Sequence, residues 1–306
     1  MLAEIKAEQK PEDQFETVLF LPEGEGRQGE GGLRTRGYFK KSDIDKPLIT
    51  VVTIVFNGEE HLEETILSII NQTYDNVEYI VIDGASTDGT VDLIRKYEHA
   101  IDYWASEKDS GIYDAMNKGV KSATGEWLYF LNTNDRFIES NILDRILPFF
   151  HNFREILHFN CDVVDSNKKK VPVRRYPVFP KSLKKWPCVQ HQSVFTHRKV
   201  IKCVGLFSLQ YQLLSDYEFF VRASATGYLI QAHREWKVAI FNAEGISANS
   251  SNALTIKREA RHIQLEYFGK VYYPLQFQLT FKFILGSTNF GKKIFSCIRR
   301  ISLVER

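Results

Sequence analysis

The chain has 306 residues, 43% hydrophobic and 25% charged, enough apolar material for one large domain with appendages or two small domains. A formal net charge of +2 at pH 7 gives no electrostatic case for a nucleic-acid partner, because phosphate-backbone binders concentrate far more basic charge. The four cysteines, Cys161, Cys188, Cys203 and Cys297, include no C-x-x-C pair; neither a disulfide framework nor a zinc site is indicated, and a reducing cytoplasm is the expected compartment.

The first residues, MLAEIKAEQK, mix acids with few apolar side chains and lack the apolar run of a secretory signal. Residues 1–46 include PEGEGRQGEGGLRTRG, whose glycine and charge bury little surface, so an extended or flexible arm is expected. From Pro47 the pattern changes. LITVVTIVFN is a continuous β-branched run, the signature of a strand covered on both faces in a parallel sheet. Leu62, Ile66, Ile69 and Ile70 then share a helical face, VEYIVID repeats the strand pattern, and Asp88 or Thr90 is placed to cap a helix carrying Val91, Ile94 and Tyr97. The alternation continues through IDYWASE, YDAMNKGVKSA, EWLYFLN and a helix with Ile142, Ile146 and Phe149. Repeated strand–helix units predict an α/β fold, a mostly parallel Rossmann-like sheet with helices on both faces. Ligands of such sheets bind outside the carboxyl ends of the strands, where Asn57, Asp83 and residues 132–135 (NTND) fall.

Beyond residue 155 the pattern is less regular. EILHFNCDVV and RRYPVF read as strands, QHQSVFTHRKVI as a strand turning into a short helix, and SDYEFFVRASATG as a helix stopped by Gly227. From Leu275 to Leu285 the odd positions are apolar, which favours a strand with a helix as the alternative. Phe290, Ile294, Ile298 and Ile301 share a face beside Lys292, Lys293, Arg299 and Arg300. That basic amphipathic end either docks on anionic lipid or packs with its charges solvated, giving residues 287–306 as the candidate membrane-surface contact. No apolar segment is long enough to span a bilayer, since even VYYPLQFQLTFKFILG is broken by Gln276, Gln278 and Lys282. The expected location is cytoplasmic, with the inner face of the cell membrane as the peripheral alternative.

The first strand end, FNGEEH, has one glycine, not the G-x-G-x-x-G that lets a backbone approach a dinucleotide pyrophosphate, and no G-x-x-x-x-G-K-[ST] occurs. Three stretches together carry a resemblance: VVTIVFNGEEHLEETILSIINQTYDNVEYIVIDGASTDGT, SGIYDAMNKGVKSATGEWLYFLNTND and LLSDYEFFVR. In this order they resemble the family 2 glycosyltransferases of the GT-A fold, over roughly residues 47–240. The resemblance implies a nucleotide-sugar-binding half at 47–139, an acceptor and base half at 140–240, and a C-terminal extension over 241–306. It also implies an inverting transfer from a nucleotide diphosphate donor to a hydroxyl of a glycan or lipid-linked glycan, as in surface polysaccharide synthesis.

Carried over residue by residue, the resemblance gives nucleoside contacts to Asn57, Glu59 and Asp83. An aspartate facing uracil accepts its ring N–H, a donor cytosine lacks, which favours UDP as carrier. Gly84 stands where the common DDGS has its second acid. Asp109 is placed to reach ribose or sugar, and Lys118 to balance diphosphate charge; the plainer reading makes Lys118 part of a solvated helix face. NTND occupies the place of the D-x-D element, whose carboxylate holds Mn²⁺ or Mg²⁺ against the donor phosphates. Here Asn132 and Asn134 offer only carbonyl oxygens, so Asp135 is the sole acid and the expected metal ligand, with Asn134 a nucleotide-sugar contact. His191 is a candidate further metal ligand or acceptor-site residue, against a purely structural histidine. Asp216, at a helix start, is the expected base, with Glu218 its nearby substitute. Two rivals stand beside this reading: a sugar-nucleotide pyrophosphorylase, whose usual glycine-rich basic first loop FNGEEH does not match, and a non-catalytic binding module.

Overall fold

The computed structural model describes residues 15–151, 155–165, 167–171, 183, 189, 191–243, 250–269 and 271. The expected strand RRYPVF, the alternating stretch from Leu275 to Leu285 and the basic end at 287–306 lie outside these residues.

Two runs of seven residues, Ile49–Val55 (β2) and Val77–Asp83 (β3), are buried along their whole length. They pair in parallel from Ile49 opposite Val77 to Val55 opposite Asp83. A strand covered on both faces has no use for polar alternation, which is why these runs read as continuous β-branched sequence. Tyr103–Ser106 (β4) extends the parallel sheet beyond β3, and Trp127–Phe130 (β5) pairs in parallel on the other side of β2.

The helices between them sort by face. Val52, Ile54, Ile80 and Ile82 pack in one core with Met116 and Val120 of Ile112–Ser122 (α3). Ile49, Val51, Val55, Tyr79 and Val81 point the other way, toward Leu62 and Ile66 of Glu59–Ile70 (α1), Ile94 of Thr90–Lys96 (α2), and Ile142 and Ile146 of Ile142–Phe150 (α4). This is the period-two alternation of a strand serving two helical layers. α3 lies so close to β2 that a Cβ on Gly119 would stand 2.5 Å from Val52 Cγ1.

The second half of the sheet is mixed. Val194–His197 (β8) runs antiparallel to β5, Ile156–Val164 (β7) antiparallel to β8, Ile230–Asn242 (β9) parallel to β7, and the short Arg136–Phe137 (β6) antiparallel to β9. Arg198–Val204 (α5), Ser215–Ala225 (α6) and Ala253–Phe268 (α7) complete the chain order. With Gly29–Gly31 (β1) at one edge, the described residues form a nine-stranded sheet. The expectation of a mostly parallel sheet therefore describes β4, β3, β2 and β5, and the mixed half follows from hairpin-like returns that the irregular pattern beyond residue 155 does not reveal.

The chain on both sides of the strand–helix repeat packs against it. Over its described residues, 15–46, the N-terminal arm is tied to the sheet edge. β1 pairs antiparallel with β4, Leu21 is buried, and the Arg34 guanidinium, 3% exposed, sits 2.5 Å from Glu78. Burial alone would raise the Glu78 carboxyl, yet Arg34 and the Thr124 and Thr50 hydroxyls hold it below its ordinary value. The arm's charges are thus partners of buried acids, and its glycines permit contact: a Cβ on Gly31 would lie 2.6 Å from Trp104 Nε1. At the other end β9 crosses residue 240, and α7 packs on α6. The Tyr267 hydroxyl donates to Glu218, and Glu259 accepts backbone N–H bonds from Gln212, Leu213 and Leu214. No helix among the described residues is long and apolar enough to cross a membrane.

Candidate active site

The chain moves from β2 outward through β3 and β4, then returns to the opposite side of β2 with β5. The crevice at that reversal, outside the carboxyl ends of β2 and β5, is where an open α/β sheet offers a ligand site. A cavity of about 400 Å³ occupies it. Its walls come from Ile54 and Val55 at the end of β2 and Phe56 after it, residues 132–135 after β5, Asp109 and Gly111 before α3 and Ile112 at its start, and His191, Gln192, Phe241 and Asn242.

Residues 132–135 form a tight turn in which the Asp135 N–H donates to the Asn132 carbonyl at 3.0 Å and Asn134 adopts a left-handed φ of 76°. The Asp135 backbone carbonyl accepts the Thr65 hydroxyl at 2.7 Å, locking the turn to α1. Its carboxylate is 3% exposed and accepts the Asn242 N–H at 3.1 Å. Burial pushes this carboxyl up to about 7, against the opposing pull of that N–H and of His191. Asn134 Oδ1 accepts the Asn242 amide at 3.1 Å. Asn132 Nδ2 stands 3.2 Å from His191 Nε2, while Asn132 Oδ1 is buried with no hydrogen-bond partner. An under-compensated carboxylate beside an orphaned carbonyl oxygen is a donor set that suits a hard divalent cation. Among the described residues no group of three His, Cys, Asp or Glu side chains forms a metal cluster, so amide oxygens and ligand phosphates would have to complete the coordination of any ion held here.

His191 joins this turn to Asp216. Its Nδ1 lies 3.1 Å from Asp216 Oδ2; an ionised carboxylate only accepts, so Nδ1 carries the proton and, in the neutral ring, Nε2 receives the Asn132 amide. Asp216 Oδ1 accepts the Tyr113 hydroxyl at 3.1 Å and the Tyr217 N–H at 2.8 Å. Burial, with the Asp216 charge beside it, raises the Tyr113 phenol well above its ordinary value, so it remains a donor. The result is a continuous chain, Asn132–His191–Asp216–Tyr113. It spans residues far apart in sequence, and Asp216 sits in the first turn of α6, where the helix dipole favours its charge. Glu218 is engaged elsewhere, 3% exposed and bonded to Arg222 and Tyr267.

Asp109 lines the cavity. Burial raises its carboxyl, opposed by the Gly111 N–H and Lys118. It leans over Gly84, where a Cβ would lie 2.6 Å from Asp109 Oδ2. The glycine that replaces the second acid of DDGS is thus the space this carboxylate fills.

Other expected contacts stand behind the lining. Asp83 is fully buried, with its oxygens accepting the Ser86 N–H at 3.0 Å, the Ser86 hydroxyl, and the Ser106 hydroxyl at 2.5 Å. Asn57 and Glu59 brace two turns: Asn57 Oδ1 accepts the Thr87 N–H at 2.8 Å, Glu59 Oε2 accepts the Gly89 N–H at 2.9 Å, and Asp88 accepts the Glu59 N–H at 3.1 Å. Lys118 is engaged by Glu107 at 2.8 Å and the Lys108 carbonyl at 2.7 Å, with Arg27 also on Glu107. Among the described residues no Lys or Arg lines the cavity. The structure therefore gathers Asp109, Asn132, Asn134, Asp135 and His191 at the lining and Asp216 against His191, while Asn57, Glu59, Asp83 and Lys118 support it from outside. Sequence reasoning passed over Phe56. It ends an apolar run and reads as core, yet it is 65% exposed at the cavity mouth.

Residues 50–203 match the family model described as Glycosyl transferase family 2. The chain is 33% identical over 187 residues to an uncharacterized glycosyltransferase of Mycobacterium tuberculosis, covering 58% of this chain and 69% of the relative. It is 28% identical over 211 residues to a PGL/p-HBAD biosynthesis glycosyltransferase of Mycobacterium bovis, covering 67% and 80% respectively. Among solved structures, S. aureus TarS in complex with UDP-GlcNAc aligns with TM-score 0.55 at 16% identity over 72% of this chain and 71% of that one. A mannosyltransferase from Pyrobaculum calidifontis in complex with GDP-Man and Mn²⁺ aligns with TM-score 0.54 at 19% identity over 73% of this chain and 64% of that one. At those identities the structural likeness shows a shared fold.

Proposed function

The chain belongs to glycosyl transferase family 2, and from that premise we propose that it moves a hexose-type sugar, with inversion, from a UDP-sugar in the β2–β5 crevice to a hydroxyl of a glycan or lipid-linked glycan. The observation that carries this reading is the hydrogen-bonded chain Asn132–His191–Asp216–Tyr113, which ties a base carboxylate to the strand end that suits a cation. TarS, whose structure was determined with UDP-GlcNAc, supports the donor class.

Phe56 offers its exposed face for stacking on the uracil. Asp83 reaches the ring N–H only if Ser86 releases its carboxylate; otherwise it and Asn57 and Glu59 hold the turns that shape the base subsite. Asp109 accepts hydroxyls of the ribose or the transferred sugar, and Asn134 borders the diphosphate. With no Lys or Arg on the described lining, diphosphate charge needs another counter-ion, which argues against a pyrophosphorylase relying on basic side chains. Mn²⁺ or Mg²⁺ held by Asp135, the Asn132 carbonyl oxygen and His191 supplies that charge stabilisation when bound. His191 would serve as ligand by releasing Asn132 from Nε2. Asp216, oriented by Tyr113 and His191, takes the proton of the incoming hydroxyl as it attacks opposite the departing diphosphate.

Calorimetric titration of UDP-, GDP- and dTDP-sugars with and without Mn²⁺ tests the reading. A UDP-sugar that binds with Mn²⁺ and is lost in Asp135→Ala is expected; binding unchanged in that variant counts against the metal role, and absence of binding to every nucleotide-sugar removes the reading.

A further inference from the structure

A second cavity, of about 380 Å³, lies on the far side of the α3 N-terminus. It shares Gly111 and Ile112 with the first, and its other walls include Tyr113, Asp114, Gln212, Leu213, Asn252 and Thr255. The partition is thin at Gly111, whose φ of 114° suits only glycine and where a Cβ would meet nothing within 4 Å. Asp216 is bonded to one wall of each cavity while lining neither. His191, a wall of the first cavity, approaches one carboxylate oxygen at 3.1 Å, and Tyr113, a wall of the second, approaches the other at 3.1 Å.

We propose that this second cavity is the acceptor subsite and that it takes an uncharged glycosyl unit rather than a phosphorylated one. The inference rests on the transferase reading of the first cavity. Its chemistry comes from the walls. Ser110, Gln212, Asn252 and Thr255 offer hydroxyl and amide groups, while Ile112 and Leu213 offer apolar surface, the combination that fits a sugar ring with a hydroxylated edge and an aliphatic face. Asp114 is the charged side chain among the described lining residues, and no Lys or Arg joins it. A phosphate would meet an anion with no cation to offset it, whereas sugar hydroxyls donate to such a carboxylate.

The wall and the base are built as one unit. Glu259 of α7 accepts the N–H groups of Gln212, Leu213 and Leu214 at 2.8, 3.0 and 2.9 Å, fixing the loop that lines the cavity and leads directly into Asp216. Asn252, Thr255 and Glu259 all lie beyond residues 50–203. Acceptor selection is thus shared between the start of α3, within the family match, and a segment outside it, while the donor crevice falls within the match except for its β9 wall.

The test is a titration of the ¹⁵N-labelled full chain, saturated with UDP and diamagnetic Mg²⁺, with methyl glycosides of glucose, galactose, mannose, rhamnose and N-acetylglucosamine, and separately with glucose 1-phosphate. At least one glycoside is expected to shift the amide signals of Gly111, Gln212, Leu213 and Thr255, glucose 1-phosphate to leave them in place, and Gln212→Ala or Asn252→Ala to weaken the glycoside about tenfold, the loss of one hydrogen bond. UDP-induced shifts after β2 and β5 report that each variant is folded. If UDP shifts its crevice while no glycoside moves the second cavity, or if glucose 1-phosphate is preferred there, this inference is overturned and the transferase reading stands. Failure of UDP itself overturns both.

Discussion

Replacing Asp135 with asparagine should stabilise the free protein while disabling it. Burial raises the carboxyl to about 7 from an ordinary value of about 3.9, so between these values the folded state binds a proton that the unfolded state has lost. Stability therefore falls as pH rises across that window, and ionising the folded carboxylate costs about 4 kcal/mol above it, with local relaxation lowering this toward about 2. Asparagine keeps the shape and the acceptor for the Asn242 N–H without the charge. Urea unfolding of wild type and Asp135→Asn at pH 5 and pH 8, free of divalent ions, isolates this group and its coupling to His191, because titrations not coupled to it cancel in the difference. The variant should gain on wild type by about 2 kcal/mol between the two pH values. Mn²⁺ with UDP should restore the wild type at pH 8 and leave the variant unchanged. A difference that is flat with pH, or a variant less stable than wild type at pH 8, would refute the claim that this carboxylate is held at a cost for the sake of a cation.

Asp216→Asn should retain UDP binding by calorimetry and lose about 10²–10⁴-fold in transfer rate, the usual contribution of a positioned base; full activity would move the base elsewhere, and Glu218 is already committed to Arg222 and Tyr267. Phe56→Ala should weaken UDP by about 1–3 kcal/mol, the range for base–aromatic stacking, and an unchanged titration would leave Phe56 outside the base subsite. Arg34→Met should lower stability by about 3–5 kcal/mol in urea, because it strands Glu78 in the core; adding Glu78→Gln should recover much of the loss, and a double variant no better than the single one would sink the pairing argument.

The strands that frame the crevice were legible because β2 and β3 are buried on both faces, and such burial leaves a plain β-branched run. The same physics hid Phe56, whose apolar side chain continues that run although it emerges at the surface. Composition does not show pairing in the arm: only the fold sets Arg27 and Arg34 against Glu107 and Glu78. Lys118 read as a diphosphate counter-charge or part of a solvated helix face, and its pairing was hidden for the same reason, since its partner Glu107 belongs to the loop after β4. Strand-end position could suggest Asp135, but neither its burial nor its bond to Asn242 is encoded near residue 135. The contact between His191 and Asp216 depends on how β8 and α6 return to the sheet, which spacing along the chain does not fix.

Donor and cation are proposed for one location, the crevice between β2 and β5, with the proposed base Asp216 against its His191 wall. Mn²⁺ added to the ¹⁵N-labelled protein with saturating UDP broadens amide signals near the bound ion. The prediction is selective loss at residues 132–135, His191 and Asn242, with weaker effects near Phe56 and Asp216 and none in the Asp135→Ala variant. Broadening centred anywhere else, or none in the presence of bound UDP, would contradict it.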